Sequence, residues 1–211
     1  VLEIDGVGHH YVVVNLASEK SVFGVDPREL PHDLDNGLHV PTVLITMRQY
    51  LVSSEGLRSE GIFRLAPDEA EALTIKAQLN KSEFTRCADV NCIANLIKVW
   101  FRELPVQLLN SLPSSSFNHA ETDEDCLALY QSLKEPNKTL FRWLIRLMAQ
   151  TTQLEQVNKM GPRNLAIVIA PNLFTSMEEM SPLESLGLSQ NVVNFVRILL
   201  DHSIKFGDLP A

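Results

Sequence analysis

From residue 38 onward, apolar side chains recur every three to four positions, a spacing that predicts helix almost without interruption. Val40, Val43, Leu44, Met47 and Leu51 make the first such face, with Pro41 tolerated in the first turn and Ser53, Ser54 and Gly56 ending it. A shorter helix is expected from Asp68, behind Pro67, to Leu79, with acidic residues in its first turn. The clearest pattern follows. Ile93, Leu96, Ile97, Trp100, Phe101 and Leu104 form one wide apolar stripe, with Asn91 as N-cap and Pro105 as stop. Residues 123–133 read as a weaker helix, and Pro136 opens a long one carrying Leu140, Trp143, Leu144, Leu147, Met148 and Leu154. Residues 163–173 follow the Gly161-Pro162 break, and residues 190–206 carry Val192, Val193, Val196, Leu199 and Leu200. Stretches 111–122 and 175–189 read as loops too short to divide the chain. Tyr11-Val12-Val13-Val14 is the one strong strand candidate, because β-branched residues crowd there. The pattern predicts an all-α single domain, a helical bundle behind a short non-helical extension.

Composition agrees with such a domain. The 211 residues suffice for one substantial core, and 45% apolar with 21% charged residues is ordinary globular usage. A formal charge of -8 argues against general affinity for nucleic acid or an anionic membrane, though not against a local basic patch. The longest apolar runs, such as residues 165–170, are far too short to span a bilayer, so no membrane insertion is expected. Val1 to Asp5 lack the features of a signal peptide, and the chain is expected to begin within a longer protein. Cys87, Cys92 and Cys126 have no C-x-x-C spacing and read as reduced cytosolic thiols. His9-His10 has no further ligand at a metal-binding spacing, so no metal site is expected.

Three segments carry candidate chemistry: Glu60-Gly61-Ile62-Phe63-Arg64, the run from Asn95 to Pro105, and the run from Asn164 to Phe174. Arg64 follows two residues that would bury and precedes the turn-like Ala66-Pro67-Asp68, so it projects from a loop. On that ground alone it reads as a solvated or salt-bridged arginine. Lys98 and Arg102 are four apart and share one side of their helix, opposite the apolar stripe. Spacing alone would make them ordinary solvated charges. Asn172, after Pro171 at the end of an apolar run, suits a helix C-terminus where it satisfies backbone groups.

Together, in this order and at these separations, the three segments resemble the Rho GTPase-activating (RhoGAP) domain over residues 23–206, leaving residues 1–22 as extension or linker and 23–211 as the domain. The segments Val40-Pro41-Thr42-Val43-Leu44, Leu96-Ile97-Lys98-Val99-Trp100-Phe101-Arg102 and Asn158-Lys159-Met160 look most like plant-type regulators of Rop GTPases. The resemblance implies an activator of GTP-loaded Rho-family GTPases (Rho, Rac, Rop) with no substrate pocket and no cofactor of its own. GTP and Mg2+ would be held by the partner. Arg64 would be an arginine finger inserted in trans, where a planar, permanently charged donor fork stabilises the transferring phosphoryl group. Such a finger is worth about 10³ to 10⁵ in rate, or about 4 to 7 kcal/mol of barrier.

By the same resemblance Lys98 holds the finger loop and meets the GTPase, Arg102 meets its switch region, and Asn172 hydrogen-bonds across to it. Asn158 and Asn164 are expected to tie helices together through their amides, and Trp100, Phe101, Leu104 and Leu165 to be core. One departure stands out: Val106-Gln107-Leu108-Leu109 follows Glu103-Leu104-Pro105 where many members carry a second proline, which bears on partner choice. Residues 4–14 lack the pattern of the CRIB motif that often precedes plant relatives. The implied protein is cytoplasmic, recruited to membrane by its GTPase or flanking domains, and monomeric as an isolated domain. The alternatives are a module of the same fold that binds GTP-loaded Rho proteins without accelerating hydrolysis, and a purely structural helical scaffold.

Overall fold

The computed structural model describes residues 2–4, 10–12, 21–176 and 180–211. Strands β1 (Leu2–Ile4) and β2 (His10–Val12) pair antiparallel, with Leu2 opposite Val12 and Ile4 opposite His10. The expected strand is thus met at Tyr11 and Val12. Val13 and Val14 lie outside the described residues, as do His9 and most of the expected 1–22 extension.

A second hairpin, unforeseen from the apolar spacing, joins β3 (His32–Asp35) to β4 (Leu38–Pro41). Its turn is Asn36-Gly37, with φ of 50° and 79°, and paired positive φ values are what a two-residue turn needs to match the strand twist. Val40 therefore belongs to β4, where Leu38 and Val40 face inward and His39 outward. Its apparent place on a helical face came from Val40 and Val43 standing three apart across the strand-to-helix junction. Helix α1 is Thr42–Ser53, with Pro41 at the N-cap position. Buried Asp35 anchors the hairpin: its carboxylate accepts from the Trp143 indole N–H at 2.8 Å and pairs with Arg48 at 3.0 Å.

Then come α2 (Glu69–Asn80), α3 (Val90–Arg102), α4 (Asp123–Gln131), α5 (Asn137–Thr152), α6 (Glu155–Asn158), α7 (Pro162–Ile169) and α8 (Pro182–Phe206). Helix α2 starts where expected, and Asp68 is its N-cap, accepting from the Glu71 N–H at 2.8 Å. The cap of α3 is Asp89, not Asn91. Asp89 is extended, and one carboxylate oxygen takes both the main-chain and side-chain N–H groups of Asn91 at 2.9 Å, which places Asn91 inside the first turn. Helix α5 stops at Thr152, leaving Leu154 in the turn before α6, and the 163–173 segment is α-helical only to Ile169 before tightening into a 3₁₀ turn, Ala170–Asn172.

The largest difference is at α8, which begins at Pro182 and not at residue 190. Ser181 and Glu184 form a capping box there, each side chain binding the other residue's main-chain N–H. Leu183 and Leu186 are 80% and 68% exposed and only Leu188 of the first eight residues is buried, so this first part lacked the apolar periodicity that reveals the rest. Residues 177–179 of the stretch expected as loop lie outside the described residues.

Helix α3 packs against α1, α2 and the Ala170–Asn172 turn, while α8 packs against α4, α5, α7 and the Ser114–His119 turn. Aromatic contacts stitch the core together: Phe101 meets Trp100 edge-on at 5.1 Å, and Phe195 lies 5.4 Å from Phe117 and 5.8 Å from Phe141. Trp100 also donates its indole N–H to the Val22 carbonyl at 2.8 Å, which seats the start of the helical domain on α3.

After α8 the chain turns at Gly207, and Asp208 pairs with Arg142 and Arg146 of α5. Burial alone would raise the Asp208 pKa, but hydrogen bonds from Arg146 and Arg142 prevail and hold it at about 2. A depressed carboxylate stabilises the fold fully above its unfolded pKa of about 3.9 and loses that contribution as pH falls toward the folded value. With solvent screening the contribution is about 1 kcal/mol. Asp208→Asn should therefore lower the urea midpoint at about pH 6 and erase part of the parent's stability loss between about pH 4 and 2. Equal acid sensitivity in both proteins would refute the assignment.

Candidate functional site

Helix α3 is buried over most of its circumference. Cys92, Ile93, Ala94, Leu96, Ile97, Val99, Trp100 and Phe101 are all covered, and Asn91, Asn95, Lys98 and Arg102 are not. Those four positions are spaced by four, three and four, so they form one narrow polar stripe. Lys98 is half-buried within it and Arg102 is exposed one turn further on. The stripe is narrower than the apolar spacing suggested, because Cys92, Ala94 and Val99 are buried too.

Lys98 reaches the segment that carries Arg64. Its Nζ donates to the Phe63 carbonyl at 2.7 Å. Burial lowers the Lys98 pKa from its usual value, and the neighbouring Arg102 charge adds to that. The loop itself is tightly wound. Gly61 and Phe63 have φ of 71° and 67°, and the Arg64 and Leu65 N–H groups both donate back to the Gly61 carbonyl, at 2.8 and 2.9 Å. Gly61 is required for more than its φ: a Cβ there would lie 2.9 Å from Leu65 Cγ and 3.2 Å from Arg64 Nη2. Phe63 in the left-handed region costs roughly 1 to 2 kcal/mol. Its ring, only 1% exposed, and the Lys98 bond offset that cost.

Arg64 stands at the end of this turn, exposed, and no hydrogen bond or ion pair of its guanidinium is found among the described residues. Arg102 likewise shows no side-chain partner among them. The contrast with Arg48, Arg142 and Arg146, each tied to a carboxylate, is clear.

Asn172 is brought against the same helix, since its 3₁₀ turn packs on α3. It is only 8% exposed, and its Nδ2 donates to the Val168 and Ile169 carbonyls at 2.9 and 3.4 Å, the helix-end role. The structure joins Lys98 directly to the Arg64 loop, sets Arg102 beside it, and shows no direct bond from Asn172 to any of the three among the described residues. Asn164 donates to the Lys159 carbonyl at 3.1 Å, and Trp100, Phe101, Leu104 and Leu165 are core.

Asn158 is fully buried. Its Nδ2 donates to the Leu57 and Thr151 carbonyls, and its Oδ1 accepts from the Met160 N–H, all at 2.8 Å. The helix-tying amide expected of Asn158 is thus met, and beyond that expectation its own carbonyl accepts the Gly61 N–H at 2.8 Å. Glu103 pairs with Lys76 of α2 at 2.7 Å, another contact that sequence spacing did not show.

Thiol chemistry is disfavoured, because burial pushes Cys92 and Cys126 up to about 12. Among the described residues no three His, Cys, Asp or Glu side chains converge as a metal site would require, and no helix is long and apolar enough to cross a membrane. The arrangement offers outward-facing fixed cations on a braced backbone.

The RhoGAP domain family profile matches residues 41–178. The chain is 40% identical over 97% of its length to Rho GTPase-activating protein gacA of Dictyostelium discoideum, and spans 60% of that protein. It is 38% identical over 90% of its length to Rho GTPase-activating protein 1 of Arabidopsis thaliana, and spans 40% of it. The expected likeness to plant proteins is thus met, with a Dictyostelium protein at similar identity. The crystal structure of human Rho GTPase activating protein 15 superposes with a TM-score of 0.73 at 19% identity, covering 90% of this chain and 93% of that one. The BH domain of Graf, the GTPase regulator associated with focal adhesion kinase, gives 0.67 at 19% identity over 81% of this chain and 96% of that one. These two likenesses concern the fold.

If Lys98 braces the loop, Lys98→Met should release it while keeping the buried aliphatic stem. The lost charged hydrogen bond is worth about 1.5 to 3 kcal/mol locally. Amide exchange at Arg64 and Leu65 should quicken, with α5 and α8 unchanged. Unaltered exchange at those two amides would mean that the bond does not hold the loop.

Proposed function

Because this chain belongs to the RhoGAP domain family, we propose that it accelerates GTP hydrolysis on a GTP-loaded small GTPase of the Rho family, with Arg64 inserted in trans as the finger. The observation that supports this most is the pairing of a braced loop backbone with a guanidinium that has no internal partner among the described residues. Transition-state charge on the phosphoryl oxygens is stabilised best by donors that need no reorganisation, and a loop already wound and anchored supplies one. The partner brings GTP, Mg2+ and the attacking water. The domain, residues 23–211, brings no cofactor and no substrate pocket, and acts as a monomer in the cytoplasm.

In this reading Arg102 and the polar stripe of α3 meet carboxylates and carbonyls of the GTPase switch surface. Lys98 holds the finger loop through Phe63 and lends its charge to the same face. Asn172, whose Nδ2 is engaged at the end of α7, offers its Oδ1 to the partner. Partner choice and the activity of the longer relatives belong to the same proposal, since this chain spans only part of them.

Arg64→Ala should leave affinity for the GTP-loaded partner largely intact while removing about 10³ to 10⁵ of the acceleration, because the finger acts on charge that develops in the transition state. Single-turnover hydrolysis and affinity measured on the same variant decide this, and parental acceleration would eliminate Arg64 as the finger.

Lys98→Ala and Arg102→Ala should weaken binding, and added salt should weaken it for the parent, since charges at an exposed interface are screened within about 8 Å. Affinity insensitive to both substitutions would place the GTPase elsewhere.

A planar fluoride complex on the GDP-bound partner should restore tight binding only when Arg64 is present. Equal binding of the GDP form with and without fluoride would favour the non-catalytic module.

A further inference from the structure

The Arg64 loop is gripped at two points. One is the Phe63 carbonyl, held by Lys98. The other is the Gly61 N–H, which donates to the main-chain carbonyl of Asn158 at 2.8 Å. Between these grips lie the two left-handed residues, Gly61 and Phe63. A shift at Gly61 therefore turns everything after it, and the first side chain after Phe63 is Arg64.

What holds the Asn158 carbonyl in place is its own amide. One Nδ2 bridges the Leu57 carbonyl, in the turn that leads into the loop, and the Thr151 carbonyl at the end of α5, each at 2.8 Å. Its Oδ1 takes the Met160 N–H on the far side. One fully buried side chain thus ties the entrance of the loop to the α5–α6–α7 corner, and its main chain then takes the loop's first amide. These residues are buried, so an amide removed here takes the side-chain partner from the Leu57 carbonyl and the Met160 N–H and leaves the Thr151 carbonyl its bond from the Leu154 N–H, and the corner must shift to satisfy them.

We infer that Asn158 is a positioning residue for the finger, fixing the backbone from which the Arg64 guanidinium reaches the partner's phosphoryl group. This rests on the reading of Arg64 as the finger. Asn158 lies away from the polar stripe of α3, so its effect falls on the rate of the bound complex and not on docking.

The test is single-turnover hydrolysis on a Rho-family GTPase by the parent, Arg64→Ala, Asn158→Ala and the double variant, with thermal melting to confirm folding. A finger misplaced by about 1 Å costs about 100-fold, so Asn158→Ala should lower the saturated rate by that order. Affinity for the GTP-loaded partner should stay within about threefold, the split expected when only transition-state interactions are lost. In the Arg64→Ala background the second substitution should cost nothing further, because no finger remains to misplace.

Gly61→Ala leaves the Asn158 amide network intact and disturbs only the loop, so it keeps the test alive if Asn158→Ala does not fold. It should show the same rate-without-affinity loss. A folded Asn158→Ala or Gly61→Ala with parental rate would overturn the proposal, as would an equal loss in the Arg64→Ala background. Should Arg64→Ala itself hydrolyse like the parent, the finger reading is what fails, and the positioning role falls with it.

Discussion

Burial of helix α3 on all but one narrow stripe is the constraint from which the site follows. With Ile93, Ile97, Trp100 and Phe101 sealed in the core, the helix cannot rotate without exposing aromatic surface worth several kcal/mol. Lys98 and Arg102 are thereby aimed with little freedom. Lys98 has covered neighbours along its stem, and its ammonium must find water or an acceptor; the acceptor it finds is the Phe63 carbonyl. A packing constraint on one helix becomes a hydrogen bond that sets the shape of another segment.

That segment stores strain and is held in it. A phenylalanine at φ 67° is an unusual choice, and it persists because the surroundings over-determine it. The ring is buried, the carbonyl is taken by Lys98, and the residue two before it is a glycine with room for nothing larger. The result is asymmetric. Ile62 and Phe63 are locked inside, while Arg64 and Leu65 are turned out. A loop of this kind presents a cation without spending binding energy to order its backbone, which is the property that electrostatic preorganisation demands.

The acidic net charge is compatible with this cationic site because many acids are used within the fold. Asp68, Asp89, Asp125 and Glu184 cap helices, Glu71 accepts the Ala88 and Asp89 N–H groups, and Asp35 and Asp208 bind indole and guanidinium groups. Their charge is answered locally by donors and helix N-termini. Arg64, Lys98 and Arg102 pair with no carboxylate among the described residues, so cationic charge stays on and beside the α3 stripe despite the acidic sum over the chain.

What the sequence by itself determined is what depends on local order along the chain. The helices with a core-facing stripe, the start of α2 near Asp68 and the break at Gly161-Pro162 were legible because periodicity and helix-start signals act over a few residues. So were Lys98 and Arg102 as one side of a helix. The Asn36-Gly37 hairpin and the Ser181–Glu184 capping box were also local, but they lay beneath a helical period that happened to run through one and an exposed first turn that hid the other. Only the tertiary structure decided which acceptor Lys98 would find, that Asn158 would take the Gly61 amide from 97 positions away in sequence, and that Arg64 would find no partner among the described residues. Those facts depend on which surfaces meet when the core closes, and no spacing along one strand of sequence encodes a distance between two segments that touch only after folding.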